Sequence, residues 1–295
     1  MAEERILFSV EGITESERIL HTPGEFAKKH LLYVQEVGTL KSLQSHKSQR
    51  EKLDSFLFVG VLDGMGTITT GGEVHRMKKG SCALLNCMER YTHESSKEAP
   101  WELMWVHFNG NMARAYFELF MEHNGQKNIF EPAQTRELRG CIEQLMQLQK
   151  EKDLESELKS GEILLKLVNE CLFAVMRQGR EGQEKYKKIC NEIRESVNRN
   201  YQDGELLVKY ADKFGMDEEE LDACFEKTYG ITLRDYIVNR RFTAAKELLR
   251  FTAKPVKEII EESGIRNDDL FRRLFKDGEG MSAEEYRMKW SQWVK

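Results

Sequence analysis

The sequence predicts an α+β chain, with a β-rich front half and an all-helical back half made of two helix-turn-helix units. Three observations predict it. A pattern of apolar helix, glycine turn and capped second helix occurs twice after residue 205. Short aromatic and β-branched runs between glycine turns fill residues 31 to about 110. Apolar residues spaced three and four apart mark residues 112–177 as amphipathic helices.

Residues 1–30 are polar with scattered apolar positions (Ile6, Phe8, Ile13, Leu20) and read as an arm with one short strand. Residues 31–34 and 56–62 are apolar runs of strand type. Asp63-Gly64-Met65-Gly66 and Thr70-Gly71-Gly72-Glu73 are turns, and residues 67–69 between them form a hairpin strand. Residues 83–85 and 101–108 complete the set expected of a β-sandwich or small barrel. Beyond Gly110 come helical stripes on Met112, Tyr116, Leu119 and Phe120, on Leu138, Ile142, Leu145 and Leu148, and from Leu154 to Val175. Such stripes either lie on the barrel or form a dimer interface, and both stay open. Residues 178–184, polar with two glycines, read as a linker.

In the back half, the first copy reads from Leu206 to Asp217 as an apolar helix, with Gly215 at the turn and Asp217 as cap. Its second helix runs from Glu218 to about Thr228. The second copy reads from Val256 to Asn267 as an apolar helix, with Gly264 at the turn and Asn267 as cap, then a helix from Asp268 to about Lys276. A helix from Leu233 to about Phe251 joins them, with Tyr236, Ile237, Phe242, Ala245, Leu248 and Leu249 on its buried face. This pairing is how a small helical unit offers a helix to the major groove of double-stranded DNA.

Composition bounds the reading. The length suits two domains, and 40% hydrophobic with 32% charged residues suits a helix-rich soluble protein. No apolar run is long enough for a membrane span, and no secretory signal opens the chain, so a cytoplasmic protein is expected. Six cysteines without a Cys-x-x-Cys pair read as reduced, buried thiols. The seven histidines are scattered without a His-x-His, and no nucleophile elbow or phosphate loop occurs. A metal-dependent barrel enzyme is thus the weaker class, and no metal or cofactor is expected. The net charge of −5 is unhelpful for binding a polyanion, and residues 183–295 hold about 22 Lys and Arg against about 23 Asp and Glu.

The helical half resembles the AraC/XylS family of bacterial transcription regulators. In the first unit the resemblance rests on Ala211, Gly215, Leu221, Phe225, Gly230, Tyr236, Arg241, Ala245, Leu248 and Leu249. In the second it rests on Ile259, Gly264, Phe271, Phe275, Lys276, Gly280, Ser282, Tyr286 and Arg287. The front half, through Arg50, Leu53, Ser55, Gly64, Gly66, Gly80, Pro100-Trp101 and residues 105–110, resembles the cupin-like effector domain of sugar-responsive members. The resemblance implies an arm and N-terminal cupin-like β-barrel over 1–110 that binds a small-molecule effector, by default a sugar. It implies a helical dimerisation segment over 111–177, a linker over 178–184 and a tandem helix-turn-helix domain over 185–295. It also implies a homodimer that contacts RNA polymerase.

Carried over residue by residue, Glu219, Asp222 and Ala223 occupy base-contact positions of the first unit. Asp269 and Arg273 do so in the second, with Arg272 near the backbone. Arg240, Lys246, Arg199 and Lys209 are candidates for phosphates, whereas Arg241 reads as structural. Tyr33, Arg50, Tyr91 and His93 are pocket candidates, because polar and aromatic groups fix a small polar ligand. Two departures stand out: Ser81 replaces the usual acid, and Tyr91-Thr92-His93 reverses the usual His-x-Tyr.

Glu218, Glu219, Glu220 and Asp222 crowd the leading face of the first recognition helix. Acids there suit the helix macrodipole, yet free carboxylates repel phosphate. The alternative they motivate is a regulator-fold protein with weakened DNA binding that acts through protein partners.

Overall fold

The computed structural model describes residues 12–178 and 184–291. Residues 1–11 of the expected arm and, save its two end residues, the expected linker lie outside them. The chain divides into two compact units between Gly179 and Arg180.

The first unit runs β1 (Thr14–Leu20), α1 (Glu25–His30), β2 (Leu32–Ser42), β3 (Lys47–Arg50), β4 (Phe56–Asp63), β5 (Met65–Thr70) and β6 (Glu73–Lys78). It continues with β7 (Cys82–Asn86), β8 (Tyr91–Ser95), β9 (Glu102–Gly110), α2 (Ala113–His123), β10 (Ile129–Phe130), α3 (Arg136–Leu148) and α4 (Leu154–Gln178). The strands form two antiparallel sheets, β1-β2-β9-β4-β7-β10 and β3-β8-β5-β6. Among the described residues no ladder joins them, so the expected barrel is two sheets rather than one closed cylinder.

Alternation along β4 explains the layering. Leu57, Val59 and Val61 point toward the smaller sheet and pack with Ile68, Met77, Tyr91 and Trp101. Phe56 and Phe58 point the other way, joining Leu84, Val106 and Phe108 against Phe120, Ile142, Leu145, Leu164 and Val168 of the helices. Burial on both faces makes β4 an unbroken apolar run. The helical stripes therefore lie on the large sheet, while Leu154, Leu158 and Phe173 of α4 remain exposed. At Gly66 a Cβ would sit 2.5 Å from the Trp101 ring and 2.4 Å from the Glu94 carbonyl oxygen, so only glycine admits that fully buried indole.

The second unit comprises α5 (Glu184–Asn200), α6 (Leu206–Phe214), α7 (Glu218–Tyr229), α8 (Leu233–Phe251), α9 (Val256–Glu262), α10 (Asp268–Glu279) and α11 (Ala283–Trp290). Both second helices are capped where the sequence predicts. Asp217 Oδ1 accepts from the Glu220 amide at 2.7 Å, and Asn267 Oδ1 accepts from the Leu270 amide at 2.8 Å. The turn glycines Gly215 and Gly264 have φ of 64° and 77°.

Helix α8 belongs to two cores. Its Leu233 and Ile237 pack with Leu206, Ala211, Leu221 and Phe225. Its Ala245 and Leu249 pack with Ile259, Ile260, Phe271 and Phe275. Between these halves, Arg241 donates from Nε to the Tyr201 carbonyl at 2.7 Å and from Nη2 to the Asp203 carbonyl at 2.8 Å. Gln202, in the same loop, donates to the Glu262 carbonyl at 2.7 Å. A Cβ on Gly264 would lie 2.8 Å from Gln202 Cα. The 201–203 loop is therefore held by α8 and by the second unit's turn together.

Replacing Arg241 by Ala leaves two carbonyls without their charged donor. Urea unfolding followed by circular dichroism is expected to show a loss of about 2–4 kcal/mol; a loss within error would show that the loop is held by packing alone.

Candidate effector pocket and nucleic-acid interface

A cavity of 440 Å³ lies between the two sheets. Alternation delivers its wall: Leu103, Trp105 and His107 from β9, Leu57 and Val59 from β4, Tyr91 and His93 from β8, and Arg50 from β3. Glu36 and Leu40 come from β2, and Arg18 from β1. Of the four residues expected there, Arg50, Tyr91 and His93 meet in this wall. Tyr33 does not; it lies near the start of β2, before the bulge between Val34 and Glu36. Burial first, and then the nearby Asp54 carboxylate, raise its pKa.

The polar groups of the wall are ordered by one another. Arg18 Nε stands 3.1 Å from Glu36 Oε1, which also accepts from Trp105 Nε1 at 3.1 Å. The Arg18 guanidinium lies 5.4 Å from the Trp105 ring centre, a cation–π distance. His107 Nδ1 and Ser55 Oγ share a 3.0 Å hydrogen bond. The Tyr91 hydroxyl is buried and makes no hydrogen bond among the described residues. Burial, with the Cys87 thiol beside it, pushes the Tyr91 pKa well up. Burial pushes His93 down to about 4, helped by His46 and Arg50. It pushes His107 down to about 4 as well, helped by Arg50 and Arg18. At neutral pH the described lining thus holds the neutral His93 and His107 rings, two guanidiniums, the Lys47 ammonium at the rim and one carboxylate. Among the described residues no three His, Cys, Asp or Glu side chains are arranged to hold a metal ion.

In the second unit, α7 and α10 each bury an aromatic stripe and expose the opposite face. Leu221 and Phe225 are buried, with Glu219 and Ala223 exposed. Phe271 and Phe275 are buried, with Asp269, Arg272, Arg273 and Lys276 exposed. Arg272 and Arg273 make no hydrogen bond or ion pair among the described residues. The other expected cations are engaged. Arg240 stacks 4.4 Å from the Tyr201 ring centre and stands 3.8 Å from Glu247. Lys246 pairs with Glu279 at 2.9 Å, Lys209 with Asp203 at 2.6 Å, and Arg199 with Glu195 at 3.4 Å.

Comparison with known proteins agrees with this arrangement. Residues 33–168 match the AraC-like ligand binding domain, and residues 210–289 match a helix-turn-helix domain. The chain belongs to the AraC/XylS family. It is 23% identical over 242 residues to the lactose operon transcription activator of Staphylococcus xylosus, covering 78% of this chain and 83% of that one. It is 20% identical over 243 residues to the Msm operon regulatory protein of Streptococcus mutans, covering 79% and 84%. The crystal structure of the AraC-like transcriptional activator CuxR aligns at 11% identity over 78% of this chain and 86% of that one, with a TM-score of 0.37. As an AraC/XylS member, the protein is a DNA-binding transcription regulator with a ligand-binding domain. No helix among its described residues is long and apolar enough to cross a membrane.

For such a regulator, the acids at the start of α7 have a specific explanation. Arg234, the second residue of α8, reaches back to both Glu218 at 2.8 Å and Asp222 at 3.0 Å. Glu220 completes the helix cap, its carboxylate accepting from the Asp217 amide at 3.4 Å. Glu219 alone of the four is exposed without a partner among the described residues. Sequence spacing could not reveal Arg234, because it acts from a different helix. Arg18, Glu36, Trp105 and His107 were likewise not singled out as pocket residues, although the odd-numbered alternation of β9 carries the signal for the last two.

The histidines make stability pH-dependent. In the folded protein His93 and His107 stay neutral down to about pH 4, whereas in the unfolded chain they take up protons near 6.5. The stability present above the unfolded value is therefore lost as pH falls from there toward 4. The urea midpoint is expected to drop across that window, and to drop less when His93 and His107 are both replaced by Gln. An identical pH profile in that variant would contradict the burial of neutral rings.

Proposed function

We propose that this regulator recognises a specific duplex sequence chiefly through α10, and that a small polar molecule in the inter-sheet cavity changes that binding. Residues 1–110 form the effector-binding part, 111–177 the dimerisation segment, 178–184 the linker and 185–295 the DNA reader. The reading is carried by one observation: α10 presents Arg272 and Arg273, exposed and unpaired, on the face opposite its buried phenylalanines. An arginine there can pair in bidentate fashion with guanine, worth about 1–3 kcal/mol of discrimination. Arg273 and Asp269 face bases, and Arg272 the backbone. Glu219 and Ala223 are the groups that α7 offers, while Asp222 is engaged by Arg234. Arg240 and Lys246 reach phosphates by exchanging their present carboxylate partners.

A cytoplasmic homodimer that contacts RNA polymerase follows from the family, and the exposed Leu154, Leu158 and Phe173 of α4 support a self-association surface. The lactose operon activator among its relatives supports a sugar effector and a regulatory rather than catalytic protein. Reliance on protein partners in place of DNA has little support, because the acids that suggest it are mostly paired.

Fluorescence anisotropy on the DNA upstream of the protein's own gene, titrated against salt, tests the reading. Arg273→Ala is expected to lose sequence preference by about 5- to 150-fold. Arg234→Ala is expected to weaken binding at low salt and to approach the parent at high salt, because it frees two carboxylates near the backbone. Wild-type binding no tighter than to random duplex, with or without candidate sugars, would overturn the proposal.

A further inference from the structure

The cavity carries one charge that no carboxylate among the described residues balances. Its one carboxylate among the described residues, Glu36, is engaged by Arg18 and by the Trp105 indole. Lys47 at the rim is paired outward with Glu94 at 3.3 Å. Arg50, on edge strand β3, turns a half-buried guanidinium into the cavity. Among the described residues it makes no hydrogen bond and no ion pair. Its field is felt across the wall, where it adds to the lowering that burial gives His93 and His107 and partly offsets the rise that burial gives Cys87. A guanidinium partly withdrawn from water without an anion is unfavourable. Opposite it in register on β8 is Tyr91, whose hydroxyl is buried, 2% exposed as a residue, and also unpartnered. Two unsatisfied groups on adjacent strands, one cationic and one neutral, thus line the same space.

We propose that the effector is an anion: a sugar-sized polyol carrying one carboxylate or phosphate that pairs with Arg50, while a hydroxyl of the same molecule bonds to Tyr91. This rests on the cavity being the effector site, and it narrows the neutral sugar of the family-level reading to a charged derivative. The planar guanidinium suits two parallel bonds to carboxylate or phosphate oxygens. The neutral His93 and His107 rings add donors and acceptors without adding charge. Leu57, Val59 and Leu103 cover the apolar side of the molecule, and the 440 Å³ volume lies within the usual range for small-ligand pockets.

Calorimetric titration of the full-length protein tests this with galacturonate and glucuronate, with glucose 6-phosphate, and with neutral galactose, glucose and lactose. Each is run at low and high salt. The account expects an anionic probe to bind, to weaken as salt rises, and to lose about tenfold or more in Arg50→Met with partial retention in Arg50→Lys. The uronate and phosphate arms tell the two anions apart. Leu57→Trp, which fills the cavity, should abolish binding; Val59→Phe replaces it if thermal unfolding shows that the first variant does not fold. A neutral sugar that binds while the anions do not, with Arg50→Met indifferent and the filled cavity inactive, overturns the anion and keeps the pocket. Binding of any probe that survives cavity filling overturns the pocket reading itself. Failure of every anionic probe at millimolar concentration also overturns the anion.

Discussion

The helical unit depends on α8 being shared. One helix of 19 residues spans roughly 28 Å and supplies side chains to two separate cores. Each cluster of three helices closes on its own half of α8. What makes them one body is the middle of that helix, where Arg241 holds the 201–203 loop and Gln202 in turn holds the end of α9. A rigid bridge fixes the separation and angle of α7 and α10. Two units facing the same side of a duplex need centres about one helical turn, near 34 Å, apart, so a bridge of this length is a constraint on the DNA as much as on the protein.

Charge acts locally here. A near-neutral helical half reads as a poor polyanion binder only if its charges are smeared over the surface. In the fold, acids of α7 are gathered by Arg234 and by the capping box, and acids elsewhere pair with lysines behind the recognition faces. The cations of α10 are left outward and unpaired. The same logic, inverted, operates in the front half: Glu36 is neutralised inside the cavity and Arg50 is not. On both proposed surfaces, it is an arginine without a carboxylate partner among the described residues that faces the ligand.

How legible this was depends on how local the signal is. The order, turns and caps of the tandem units are legible, because helical periodicity, a capping side chain and a left-handed glycine all fall within a dozen positions; the end of α10 is not, and runs to Glu279 rather than Lys276. Strand β4 was legible because burial on both faces makes it wholly apolar. Strand β3, with the sequence Lys47-Ser48-Gln49-Arg50, was not: an edge strand pairing on one side with no apolar residue gives no period-two pattern. The two-residue β10 and the short α1 are likewise stabilised by what they pack on. The cavity was partly legible. Tyr91 and His93 come from the family resemblance rather than from a strand pattern, and the Arg18–Glu36–Trp105 cluster joins three strands distant in sequence. Tyr33 is not in the cavity lining: it pairs with Asn109, one same-face position beyond His107 on β9.

The central claim, that α8 holds two readers at a fixed spacing, is tested most directly on the DNA. Once a bound sequence has been selected in vitro, inserting about five base pairs between the segments protected by α7 and by α10 turns them to opposite sides of the duplex. A rigid bridge predicts that specific affinity collapses to that of α10's half-site alone and returns after insertion of a full turn. Undiminished specific affinity at the half-turn insertion would contradict it, showing either that the units move independently or that α7 contributes no contact.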